Sequence, residues 1–290
     1  MQFGIAFANT GPFARAAGAV ALATAAESAG FESLWTVEHV VVPHDYDSTY
    51  PYSPTGKMPG REDSSIPDPL IWLTWVAART TTLRVATGIL VLPQRNPVVL
   101  AKEVATLDAL SGGRVILGVG VGWLEEEFDV IGASFAERGV RTDEYVEAMR
   151  ALWSQEMASF TGETVGFDDV VLRPQPVDRH VPVVIGGHSR AAARRAGRLG
   201  DGFFPAKGDL PVLFDEMRRA AEDAGRDPAD VEITATGAGV LAGGEQAADE
   251  VGRLAEMGVR RIAIPPLSYD PDAIGDVLGA FGADVIARTR

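Results

Sequence analysis

Eight times along its 290 residues the chain sets a short β-branched run before a stretch whose apolar residues recur at helical spacing. The runs span 3–8, 33–40, 83–92, 114–119, 181–187, 202–206, 231–241 and 260–266. The helical stretches lie near 16–29, 67–79, 96–111, 124–132 with 138–155, from Ser189 onward, 209–224, 245–257 and 271–287. Strands that alternate with helices pair in parallel, because each helix carries the chain back across the sheet. Eight such units at this length predict an α/β fold, the closed (β/α)8 TIM barrel. An open doubly wound sheet uses the same units but usually fewer of them. Two segments break the rhythm. A Pro/Tyr/Ser-rich loop over 43–67 follows the second strand, and "FTGETVGFDDVVLRPQPV", inside a β excursion over 158–180, follows the fourth. No low-complexity tract or polar linker divides the sequence, so 1–290 reads as a single domain.

Composition narrows the function. The absence of Cys removes disulfides, thiolate nucleophiles and zinc–thiolate sites, and fits a reducing cytoplasm. The opening "MQFGIAFANTGPF" lacks the basic start and apolar stretch of a secretory signal, and no apolar run approaches the roughly 18–20 residues of a membrane helix. A net charge of −14 argues against nucleic acid and anionic membrane as partners, since both need a basic footprint. The expected partner is a small molecule, and any anionic part of it needs a local positive site. The four His (39, 44, 180, 188) form no H-x-H or H-E-x-x-H grouping, so no metal is expected. A G-x-S-x-G nucleophile elbow is absent too.

In a barrel the chemistry sits at the C-terminal ends of the strands. Here those ends are rich in glycine. "GRVILGVGVGW" runs from strand four into Gly118, Gly120 and Gly122. Its G-x-G-x-G spacing is not the dinucleotide fingerprint, which is G-x-G-x-x-G in an early βαβ unit. Two readings stand: main chain left bare for a bulky ligand, or a bulge at a tight barrel corner. "VVIGGHSRAAARRAG" ends a strand in Gly186-Gly187 and opens a helix near Ser189. Free N–H groups and the helix dipole make such a start suitable for phosphate, with Ser189 as cap or as hydroxyl donor. Arg190 and Arg194 share a face near that start, whereas Arg195 and Arg198 read as solvated. Glu38-His39 ends strand two, and alternation lets only one of the pair enter the mouth. His39 has the residue type for general acid–base work, or is a loop histidine held by hydrogen bonds. In Glu125-Glu126-Glu127, the dipole of the helix they open accounts for at least two of the carboxylates.

Taken together, "AESAGFESLWTVEH", "TGILVLPQRNPVVLAKEVATLDALSGGRVILGVGVGWLEEEF", "VPVVIGGHSRAAARRAGRLGDGF" and "MGVRRI" resemble the luciferase-like flavin and deazaflavin monooxygenase superfamily. Within it they are similar to the coenzyme F420-dependent oxidoreductases of actinobacteria. The resemblance implies a homodimer of TIM barrels with an insertion and the cofactor ring in the barrel mouth. It implies a non-prolyl cis peptide at Gly88-Ile89 behind the ring, and an active-site histidine at His39. The segments Gly118-Val119-Gly120-Val121-Gly122 and Gly186-Gly187-His188-Ser189-Arg190 would hold the ribityl phosphate. Some deazaflavin dehydrogenases of the group carry Glu where this chain has Trp123. That argues against a sugar-phosphate dehydrogenase and leaves proton transfer to His39, Glu38 or the 43–66 loop. The implied activity is hydride transfer between F420 and a small organic substrate. An FMN-dependent monooxygenase is the alternative, and a non-catalytic flavin-binding protein the second.

Overall fold

A computed structural model describes residues 1–59 and 64–289. The strands are β1 (Gln2–Ile5), β2 (Ser33–Thr36), β3 (Arg84–Thr87), β4 (Leu90–Val91), β5 (Val115–Gly120), β6 (Ala158–Thr161), β7 (Gly166–Val170), β8 (Val183–Gly186), β9 (Gly202–Phe204), β10 (Glu232–Thr236) and β11 (Val259–Ile264). The α-helices are α1 (Ala16–Ala29), α2 (Pro69–Ala77), α3 (Pro97–Ser111), α4 (Glu125–Ile131), α5 (Arg138–Ser154), α6 (Arg190–Leu199), α7 (Leu210–Asp223), α8 (Gly244–Glu256) and α9 (Ile274–Phe281). One parallel sheet runs in the order β3-β2-β1-β11-β10-β9-β8-β5-β4, and a further β3–β5 pairing closes it into a ring. β3 and β4 are the two halves of one barrel strand, separated by a cis peptide between Gly88 and Ile89. Eight barrel strands result, as the alternation predicts. The β excursion is the antiparallel hairpin β6–β7, outside the ring.

Local chemistry sets the helix ends. Asp68 accepts hydrogen bonds from the Leu70 and Ile71 amides with Pro69 behind it, and Asn96 does the same for Val98 and Val99 ahead of Pro97. Gly30 and Gly112 end α1 and α3 in the left-handed region. Three elements are shorter than the sequence predicts. β2 stops at Thr36 because the Asn9 carboxamide takes over its backbone partners: Val37 N donates to Asn9 Oδ1 (2.9 Å) and Asn9 Nδ2 donates to Val37 O (2.8 Å). β10 ends at Thr236 and gives way to a 3-10 turn over Ala238–Ala242. The last helix starts at Ile274 and loosens into a π turn over Gly282–Ile286.

The main core lies between barrel and helices, and a smaller one fills the barrel: Ala6, Trp35, Ala86, Ile116, Val184, Phe204 and Ala263. Trp35 blocks the interior. Its indole N–H donates to Ser33 Oγ (2.8 Å), and its ring meets Phe204 edge-on at 5.4 Å. Below it Arg261, 1% exposed, lies over the Trp35 ring. Arg261 bonds Glu32 through two nitrogens (2.8 and 2.9 Å), pairs with Glu232 and also reaches Thr234 and Gln2. The barrel interior is thereby plugged toward its N-terminal end. Among the described residues, no helix is long and apolar enough to cross a membrane.

Candidate active site

The cis peptide gives the mouth its shape. Past it, the Ile89 side chain turns toward the ends of β5 and β8. A Cβ on Gly120 would stand 2.7 Å from Ile89 Cδ1, and one on Gly186 would be closer still to Ile89 Cγ2. A Cβ on Gly118 would collide with the Thr87 carbonyl, whose own hydroxyl donates to Gly118 O (2.6 Å). One on Gly122 would meet Phe128 and Val91. The glycine ladder thus follows from close approach of the third strand. The space each glycine leaves is filled by protein atoms rather than left as bare main chain, and what faces the mouth there is Ile89.

Glu38 and His39 lie past the end of β2, and their side chains go to different partners. The Glu38 carboxylate is buried, accepts from Val91 N (2.6 Å), and pairs with Arg95 through both Nε and Nη2. Arg95 in turn holds Asp68 Oδ2 (2.8 Å) at the cap of α2. Glu38 therefore fastens the strand beyond the cis bond to the next two helices, and its oxygens are committed to that task. His39 goes to the mouth. Its Nδ1 lies 3.0 Å from Glu127 Oε2, and its ring stands edge-on to Trp123 at 5.7 Å. Glu127 is 1% exposed, and its other oxygen accepts from Val40 N (2.6 Å) and Val41 N (3.2 Å).

The loop after β2 covers this pair with aromatic rings. Tyr46 and Tyr50 both lie edge-on to Trp123 (5.6 and 5.1 Å), Tyr50 meets Tyr52 (5.4 Å), and Tyr52 meets His188 (5.0 Å). The rings run unbroken from His39 across to the end of β8. Three tethers hold the loop: Glu126 Oε1 accepts from Asp47 N (2.7 Å) and Ser48 N (3.0 Å), Ser48 Oγ accepts from Glu125 N (3.1 Å), and Lys207 Nζ donates to Pro51 O. Residues 60–63 of the predicted insertion lie outside the described residues.

At the end of β8, Gly187 has φ +124°, and Ser189 caps α6 by accepting from Ala192 N (3.2 Å). The His188 Nδ1 is buried with no hydrogen-bond partner among the described residues. Burial, then the Lys207 ammonium, holds His188 below the usual histidine range. Arg190 is exposed at the head of α6. Arg194 is committed to Glu216 (2.6 Å). Arg195, expected to be solvated, is instead only 11% exposed and pairs with Asp143 on α5, where Arg198 joins it (2.8 Å). The Arg195 guanidinium also reaches the Gly139 carbonyl, so it docks two helices rather than facing water. Sequence reasoning missed Glu127, Arg95 and the tyrosines of the loop. The one signal for Glu127 was a third carboxylate in a helix turn where the dipole explains two.

The family description "Luciferase-like monooxygenase" matches residues 1–263. The chain belongs to that family. An uncharacterised protein of Mycobacterium tuberculosis is 33% identical to this luciferase-like chain over 260 residues, 87% of each. An F420-dependent glucose-6-phosphate dehydrogenase of Kineococcus radiotolerans is 32% identical over 222 residues, 73% of this chain and 60% of its own length. Among solved structures, a monooxygenase of Streptomyces bottropensis superposes with a TM-score of 0.75 at 24% identity, over the whole of both chains, and shares the fold. Luciferase-like family members are oxidoreductases and monooxygenases, and this chain carries their barrel.

Proposed function

We propose that the protein is an oxidoreductase that transfers a hydride between coenzyme F420 and a small organic substrate at the C-terminal mouth of the barrel. The observation that carries this reading is His39, bonded to the buried Glu127 and set edge-on against Trp123 under an aromatic lid. An imidazole so placed has the chemistry to give a proton to a substrate or take one from it. The similarity to a dehydrogenase named for F420 supports the choice of cofactor.

The residues present fit a flat ring with an anionic tail. Ile89, beyond the cis bond, offers an apolar platform. The orphaned His188 Nδ1, the Ser189 hydroxyl, Arg190 and the amides that open α6 would hold the phosphorylated tail. Coenzyme F420, when bound, supplies a ring carbon that gives or takes a hydride and is unreactive toward oxygen. The chain's own residues do the rest. Trp123, Tyr46, Tyr50 and Tyr52 exclude water and confine the substrate, and His39 exchanges the substrate proton.

Titration of the protein with F420 and, separately, with FMN, followed by visible absorbance, tests the cofactor. Saturable perturbation of the F420 spectrum is expected, and tight FMN binding with none of F420 would reverse the choice in favour of a monooxygenase. His39→Ala is expected to lower turnover by about 10²–10⁴-fold while F420 affinity holds. Full turnover in that variant would remove His39 from the reaction.

A further inference from the structure

Glu127 does more than place a carboxylate in the first turn of α4. A neutral imidazole carries one N–H and one lone pair, and a carboxylate can only accept. With Glu127 Oε2 3.0 Å from Nδ1, the Nδ1 proton is the donor of that bond. The lone pair of the neutral ring must then lie on Nε2, at the edge turned away from Glu127. No hydrogen-bond partner holds Nε2 among the described residues. The carboxylate itself has no freedom to turn, since Oε1 is fixed by the amides of Val40 and Val41, the two residues that follow His39. One buried side chain thus grips both the ring of His39 and the main chain that carries it.

We propose that Glu127 is the positioning residue of the site: it selects the Nδ1–H tautomer of His39, so that Nε2 is the nitrogen that takes or returns the substrate proton. The tautomer half stands on this geometry alone, and only the role of Nε2 rests on the function proposed above. Fixing one ring nitrogen through a carboxylate is a general way to set the basicity and direction of the other.

Glu127→Gln makes the test sharp. Its single carbonyl oxygen is needed by the Val40 and Val41 amides, which puts the –NH2 group against Nδ1. An amide nitrogen only donates, so the lone pair must move to Nδ1 and the proton to Nε2. Long-range 1H–15N NMR of the ¹⁵N-labelled protein, without cofactor and at a pH where His39 is neutral, distinguishes the tautomers directly. The wild type is expected to show protonated Nδ1 and bare Nε2, and Glu127→Gln the reverse. Turnover of the variant with F420 should fall by about 10–100-fold at unchanged F420 affinity.

A wild-type spectrum with the proton on Nε2 overturns the proposal without any variant, so a misfolded mutant cannot shield it. An unchanged tautomer in folded Glu127→Gln, judged by circular dichroism, overturns it too. An inverted tautomer with undiminished turnover upholds the positioning by Glu127 and instead overturns the role of His39 in the reaction.

Discussion

A methyl group added to Gly186 would meet Ile89 Cγ2, and one added to Gly120 would meet Cδ1 of the same side chain at 2.7 Å. The Cγ2 contact is the harder to relieve, because branching at Cβ fixes the direction of that methyl, whereas Cδ1 can turn about χ2. Gly186→Ala should therefore lower stability by about 1–3 kcal/mol, read from the midpoint of a urea melt. In an Ile89→Ala background the same substitution should cost little, because the obstructing methyl is gone. Equal penalties in the two backgrounds would show that the glycine answers to something else, since residues in contact are the ones expected to deviate from additivity. This coupling also shows what the sequence could and could not convey. "GVGVG" announces that something approaches the main chain closely, but the approaching group sits on another strand, and only the closed β3–β5 and β5–β8 pairings bring it there.

At the scale of elements, the readable features are those whose cause is local. Asp68-Pro69, Asn96-Pro97 and Ser189 open helices and Gly30 and Gly112 close them because the cap and the capped groups are neighbours in the chain. The end of β2 escapes because Asn9 is 28 residues away, and the role of α4 escapes because its carboxylates act on groups 78 to 88 residues earlier. α4 is the element that joins lid and histidine: Glu127 grips His39, and Glu126 grips the lid at Asp47 and Ser48. Desolvation is the largest single influence and pushes the Glu126 carboxyl up. The Ser48 hydroxyl and the amides of Glu126, Ser48 and Asp47 together outweigh it and hold the group down to about 2. A depressed carboxyl favours the tethered state at pH above its ordinary value of 4.5, and this support drains away as pH falls toward about 2. Trp123 fluorescence reports the lid, since Tyr46 and Tyr50 pack on its ring. The emission is expected to shift red over that acid range. In Glu126→Gln, the shift should already be present at pH 7, and an unshifted spectrum there would free the lid from dependence on α4.

Across the whole molecule, the two ends of the barrel are built for different ends. The floor is a closed ionic plug in which Arg261 satisfies Glu32 and Glu232 beneath Trp35. The mouth keeps unpaired groups, such as His188 Nδ1 and both amide atoms of Gln94, which lack partners among the described residues. This division follows from the barrel itself, whose loops at the C-terminal face vary freely while its N-terminal face serves stability. Removing one partner from a buried ion pair leaves the other charge uncompensated, at a cost of about 3–5 kcal/mol. Arg261→Met keeps much of the side-chain volume under Trp35 but strands Glu32, whose remaining cation is Arg84 at 3.6 Å. The variant is therefore expected to lose stability on that scale in a thermal or urea melt. Below its melting point the His39 imidazole resonances should match the wild type, because Trp35 and the barrel core stand between floor and mouth. A stable Arg261→Met protein would deny the plug its structural role. A destabilised one with altered His39 signals would show that the two ends are coupled through the barrel rather than separated by it.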